Sequence, residues 1–212
     1  MKRLIILANV LAFAFTAVPL IGGTIIYDVQ VNTSAVNGTS GSFELQLSSG
    51  VAGNPLITAT LSNFTVNGTL VGAPTNLGNV SGALPGTVSI DNGNTSFALA
   101  SMLQQITYGT GFNFRLTIDT VAVDPGPPLT SLPLLAVYLY NASLSPILTN
   151  DPFGSIITWQ TDSLRNPILS TFDSDESGGL SVVSISEVPE PATLSMLGVG
   201  LAAMWFARRG RG

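Results

Sequence analysis

Apolar and polar residues alternate with a period of two through most of the chain. The pattern is cleanest in FNFRLTID, where Phe112, Phe114, Leu116 and Ile118 share one face and Asn113, Arg115, Thr117 and Asp119 the other. This is the signature of a strand buried on one side. GSFELQL repeats it with Phe43, Leu45 and Leu47 inward, and LITATLS with Ile57, Ala59 and Leu61. Further strands are predicted at TIIYDVQV, GTVSID, LLAVYLY, SIITWQ, NPILSTF and LSVVSIS. TSFALASML reads as a strand too, although TSFALASMLQQI also fits a short helix. FTVNGTLV reads as a hairpin, because Asn67-Gly68 suits the two positive-φ positions of a type I′ turn. About ten short strands separated by Gly, Pro and Asn turns predict an all-β fold, a single jelly-roll-like β-sandwich over residues 24–187. VDPGPPLTSLP is stiffened by Pro125, Pro127, Pro128 and Pro133, which suits a loop passing from one sheet to the other.

The two ends break this pattern. Lys2 and Arg3 precede an apolar run of about 14 residues, Leu4 to Ala17, followed by Pro19 and the small residues Gly22 and Gly23. That is the layout of a secretory signal peptide, residues 1–23, and the run is shorter than the roughly 17–25 residues that span a bilayer. At the other end Val188-Pro189-Glu190-Pro191 holds two prolines that lack amide donors and bias their neighbours toward extended backbone. The apolar stretch from Thr193 to Ala207 would reach roughly 22 Å as a helix. The hydrocarbon core is roughly 30 Å thick, so the stretch spans with help from Trp205 at the interface and snorkelling arginines. Arg208, Arg209 and Arg211 close it. Basic residues flanking membrane segments stay cytoplasmic, which places both extremities inside and the body outside.

Charge sharpens the picture. The whole chain carries -5, but two arginines, Arg115 and Arg165, face eleven carboxylates between Thr24 and Glu187, a net charge of -9 for the body. Such a surface repels a phosphate backbone and argues against nucleic-acid binding. With no cysteine there is neither a disulfide framework nor a thiolate nucleophile. With no histidine and no lysine after Lys2, Ser-His-Asp, Ser-Lys and Schiff-base mechanisms are excluded. No cofactor is expected.

The segment VPEPATLSMLGVGLAAMWFARR closely resembles the PEP-CTERM sorting signal of Gram-negative bacteria. The resemblance covers residues 188–212. It implies that Pro189, Glu190 and Pro191 are the motif recognised by an exosortase-type membrane transpeptidase. Thr193 to Ala207 would then be the stop-transfer helix, and Arg208, Arg209 and Arg211 the retention cluster. It also implies passage through the general secretion machinery, a transient stay in the inner membrane, and a setting rich in exopolysaccharide. The stretch from LLAVYLY through SIITW is similar to segments of small β-rich cargo proteins that carry this signal.

Within the body, three clusters are candidates for chemistry. Tyr138, Tyr140 and Trp159 would form an aromatic platform for sugar rings, since both tyrosines fall on the strand face opposite Val137 and Leu139; cross-strand aromatic packing is the competing reading. Asp173, Asp175 and Glu176 lie in an acidic turn of the kind that can hold Ca²⁺, but the spacing of an EF-hand loop is missing and an ordinary solvated turn is the favoured reading. Asp119 with Asp124, or Asp162 with Asp173, would serve a carboxylate-based hydrolase if their separation allowed it. The expected role is a non-enzymatic surface or matrix component associated with exopolysaccharide and biofilm. A carbohydrate-binding or adhesive module, and then a hydrolase, are the alternatives.

Overall fold

Strands with one apolar face need a second apolar face to cover them, and the chain supplies it from its own other half. The structure, a computed structural model, describes residues 23–48, 56–93, 99–120, 134–162, 167–174 and 181–189. Among these run twelve strands: β1 (Thr24–Asn32), β2 (Ser40–Ser48), β3 (Ile57–Val66), β4 (Thr69–Leu77), β5 (Val80–Gly82), β6 (Val88–Asp91), β7 (Leu99–Thr107), β8 (Gly111–Thr120), β9 (Leu134–Asn141), β10 (Ser155–Thr161), β11 (Pro167–Thr171) and β12 (Val183–Val188). They form two six-stranded sheets, β12-β1-β8-β3-β6-β5 and β11-β10-β9-β2-β7-β4, in which every pairing is antiparallel. The signal peptide expected over residues 1–23 lies, but for Gly23, outside the described residues, and the membrane helix expected from Thr193 to Ala207 lies wholly outside them.

The inward faces of both sheets join in one core. Phe43 of β2, fully buried, inserts from one sheet into a cluster on the other: Phe112 at 5.5 Å between ring centroids, Phe64 at 5.8 Å and Phe114 at 6.0 Å. Edge-to-face contact at 84° with Phe112 matches the positive rim of one ring to the negative face of the other. Phe43→Ala removes the ring that bridges the sheets, and it is expected to cost about 3–5 kcal/mol, read as a lower urea midpoint.

Eight of the eleven links between successive strands pass from one sheet to the other; only β5–β6, β9–β10 and β10–β11 stay within a sheet. The proline-rich segment expected to cross does join strands of different sheets, β8 and β9. The Asn67-Gly68 hairpin is a correction. β3 pairs with β8 and β6 while β4 pairs with β7, so these two residues turn a corner between sheets, and neither has positive φ. The reason is packing: a Cβ on Gly68 would lie 2.1 Å from the Thr107 carbonyl oxygen, and one on Gly109 would lie 2.4 Å from the Asn67 carbonyl carbon. Two glycines let the β3–β4 and β7–β8 corners touch backbone to backbone. The helical reading of TSFALASMLQQI is likewise excluded for its described part, which is β7. The strand count rises because β5 is too short to show a pattern of its own.

A third corner, between β1 and β2, joins them. Thr33 donates from its amide to the Thr110 carbonyl and from its hydroxyl to Gly109, at 3.1 and 2.8 Å. Gly38 N donates to Tyr108 and Tyr108 N to Thr39, at 2.8 and 2.9 Å. At the centre the buried Tyr108 hydroxyl reaches the carbonyl oxygens of Ser42 at 2.7 Å and Tyr140 at 3.0 Å. One end of the sandwich is therefore a closed stack of corners. The opposite end is where β1 begins and β12 finishes.

Candidate functional site: the sorting junction and the outer face of the second sheet

β12 is an edge strand held by β1 alone, in a ladder running from Val31↔Val183 to Ile26↔Val188. Pro189 follows at once. It has no N–H to offer Ile25, the next position of β1, so the ladder stops there. β1 itself continues through Ile25 and Thr24 on its other side, paired with Ile118 and Asp119 of β8. No spacer therefore separates the folded domain from the Pro-Glu-Pro sequence, and the start of β1 emerges at the same end of the sandwich.

The second sheet carries the aromatic candidates. On β9 the side chains of Leu135, Val137 and Leu139 point into the core and those of Tyr138 and Tyr140 point outward, half-buried. The two tyrosine rings lie side by side at 5.8 Å with planes only 10° apart. Trp159 does not join them, which corrects the platform of three. It pairs with Leu135, shares that residue's inward face and is fully buried. A large ring on the core side of a central strand is covered by the opposite sheet.

The structure instead adds Glu44, which sequence reasoning passed over. Its position in β2 faces Tyr138 in register, and its carboxylate accepts a 3.0 Å hydrogen bond from the Tyr140 hydroxyl. Outward parity of Glu44 was readable from GSFELQL; its neighbour was not. Burial pushes the Tyr138 phenol up, and the charges of Glu44 and Asp151 add to this. Tyr140 is raised too, by burial first and then by the charge of Glu44, its hydrogen bond and the neighbouring Tyr138. Both phenols stay protonated at neutral pH.

The acidic candidates have structural duties. Asp173 accepts from the Val182 amide at 2.8 Å and the Ser181 hydroxyl at 3.2 Å, bracing the approach to β12. Asp175 and Glu176 lie outside the described residues, and among the described residues no three acidic or other ligating side chains group to hold a metal. Asp162 and Asp173 follow the ends of the antiparallel neighbours β10 and β11, hence opposite ends of that pair. At about 3.3 Å per residue they are on the order of 20 Å apart, beyond the roughly 5–9.5 Å that glycoside hydrolysis needs. This overturns the pair. Asp119 accepts from the Thr24 hydroxyl, and Asp124 is outside the described residues.

Two carboxylates are held low. The Arg115 guanidinium bonds Asp28 at 2.8 and 3.0 Å and lowers its pKa. For Asp151, burial works upward, but hydrogen bonds from Ser155 and from the Phe153 amide outweigh it and the pKa falls. Groups depressed on folding contribute stability above their unfolded values, and that contribution is lost as pH falls through the folded ones. With no histidine in the chain, thermal stability is expected to be flat from about pH 5 to 9 and to decline below about pH 4. The acid-side loss is smaller in Asp151→Asn, and melting scans across pH check it.

The described fold is an antiparallel β-sandwich whose last strand runs directly into Pro189. The family comparison names the signal, since residues 187–211 match the PEP-CTERM protein-sorting motif. The chain thus carries a PEP-CTERM sorting signal, and the motif implies export, a membrane-anchored precursor and processing by an exosortase, a membrane enzyme. No curated protein and no solved structure matches the chain.

Proposed function

We propose that this protein is a structural, non-enzymatic component of the cell surface or extracellular matrix of a Gram-negative bacterium, delivered by an exosortase and associated with exopolysaccharide. The observation that supports it best is the absence of a spacer between β12 and Pro189, which makes the sandwich itself the cargo and the signal a removable handle. The use of the carboxylates agrees. Asp28 pairs with Arg115, Asp91 holds Asn79 and the Gly93 amide, Asp151 holds Ser155, and Asp173 holds Val182. Side chains committed to turns and strand ends build a durable domain rather than a reactive one. Asparagines do the same, as when Asn141 accepts from the Ser143 and Ser145 amides.

Fractionation of expressing cells tests the reading. The processed form is expected in the extracellular matrix, and its deletion should thin or weaken the biofilm without changing the polysaccharide's chemistry. Recovery only from the cytoplasm, or an altered glycan structure in the deletion strain, overturns it.

A further inference from the structure

The two outer faces of the sandwich differ in kind. The first sheet presents Asp28, Gln30, Thr60, Asn113, Arg115 and Thr117, a polar surface with its ion pair already closed. All six exposed large apolar side chains among the described residues belong to the second sheet or its β9–β10 link: Val71, Leu77, Leu99, Leu144, Phe153 and Ile168, the phenylalanine 85% exposed. Exposed apolar surface gathered on one face marks an interaction site.

Register arranges this face into two rows across four strands. Tyr138 of β9 faces Glu44 of β2, then Leu103 of β7, then Thr75 of β4; Tyr140 faces Ser42, then Gln105, then Val71. Apolar and hydrogen-bonding groups thus interleave at the roughly 4.8 Å strand spacing. Between Val71 and the link at Ala142 and Leu144 the surface opens into a depression of about 350 Å³ floored by Ser42, Leu103 and Gln105. Leu144 forms its rim with φ at 58°, a strained backbone for a leucine, held by the Asn141 side chain. The second oxygen of Glu44, the Tyr138 hydroxyl and the Gln105 amide carry no hydrogen bond among the described residues.

Charge selects the occupant. Arg115 is the one basic side chain among the described residues, and it is paired on the other sheet. Glu44 acts on both tyrosines and Asp151 on Tyr138, so an anionic polymer meets repulsion and no counter-charge. We propose that the outer face of the β9-β2-β7-β4 sheet is a binding groove for an uncharged glycan. Tyr138, Leu103 and Val71 cover the C–H faces of its rings, while Glu44, Gln105 and Ser42 take its hydroxyls. This deepens the matrix reading and rests on it, because it makes the neutral part of the polysaccharide the partner. Its failure is separable: matrix location without glycan binding overturns the groove alone.

Affinity electrophoresis of the processed protein, purified from expressing cells, through gels containing hydroxyethylcellulose, glucomannan, dextran or alginate tests it. Retardation by at least one neutral glycan and none by alginate is expected. Tyr138→Ala and the shape-preserving Glu44→Gln should each weaken binding about tenfold, with Thr60→Ala on the opposite face unchanged. Melting curves of each variant confirm folding, and Glu44→Gln keeps the test valid if Tyr138→Ala unfolds. Migration unaffected by every neutral glycan, retardation by alginate, or binding indifferent to Glu44→Gln overturns the proposal. So does concentration-dependent self-association in sedimentation that these substitutions abolish, which would give the face to a second copy of the chain.

Discussion

Replacing Pro189, Glu190 and Pro191 together by alanine leaves the protein as an unprocessed precursor in the membrane fraction, with near-complete loss of the shorter form on a gel. Two effects act in the same direction. The residues that the sorting motif places before the membrane enzyme are gone. The end of β12 also changes, because each replaced proline regains an amide donor and the freedom to continue as strand. A strand continued past the Ile26↔Val188 pair would meet Ile25 and then Thr24, where β1 has room for a partner. The strand then zips forward and draws the peptide against the sandwich. Deleting Ser184 and Ile185 isolates this second effect, since it keeps residues 187–211 intact while pulling Pro189 two positions toward the ladder. Slower processing of that deletion is expected. Processing at the normal rate would show that the enzyme tolerates a motif pressed against the domain.

Tyr108→Ala is the second large effect, a loss of a large share of the folding stability, read as a sharply lower urea midpoint. The ring is buried beside Gly41, where a Cβ would come within 2.6 Å of it, so nothing nearby can fill the space it leaves. Removing a buried aromatic ring costs about 3–5 kcal/mol, against a total stability of about 5–15 kcal/mol. Its hydroxyl also serves Ser42 and Tyr140, which places β2 and β9 against the corner that starts β8. Burial raises the phenol's pKa, so it remains a donor well into alkaline solution. Tyr108→Phe keeps the ring and loses only those bonds, for about 1–3 kcal/mol. Urea unfolding of the three proteins separates packing from hydrogen bonding. Equal midpoints for Tyr108→Phe and the parent would mean the hydroxyl is idle.

The contrast between what was legible and what was not follows the physics of each element. FNFRLTID and GSFELQL are β8 and β2 almost residue for residue, because a strand with one wet face writes its burial into alternate positions. Asn67-Gly68 misled for a specific reason: the dipeptide does make the chain reverse, but whether the next strand returns to the same sheet depends on Tyr108 and Gly109, some 40 residues later. Trp159 misled because SIITWQ is apolar on both faces and its pairing with β9 is irregular between Ser155 and Ile157, so parity along the strand is not readable. Glu44 was invisible as a partner of Tyr140 because the two are 96 residues apart.

From residues alone came the sorting signal, the all-β class, the acidic body and the chemistry that its missing cysteine and histidine exclude. Those are local or additive properties: a linear signal is read as an extended peptide, a half-buried strand carries its own period, and charges sum. Tertiary structure decided which sheet each strand joins, that Trp159 is core while Tyr138 and Tyr140 meet Glu44, and that apolar surface collects on one outer face. These depend on pairing register, which is set by long-range packing of whole faces and is encoded in no single stretch of the chain.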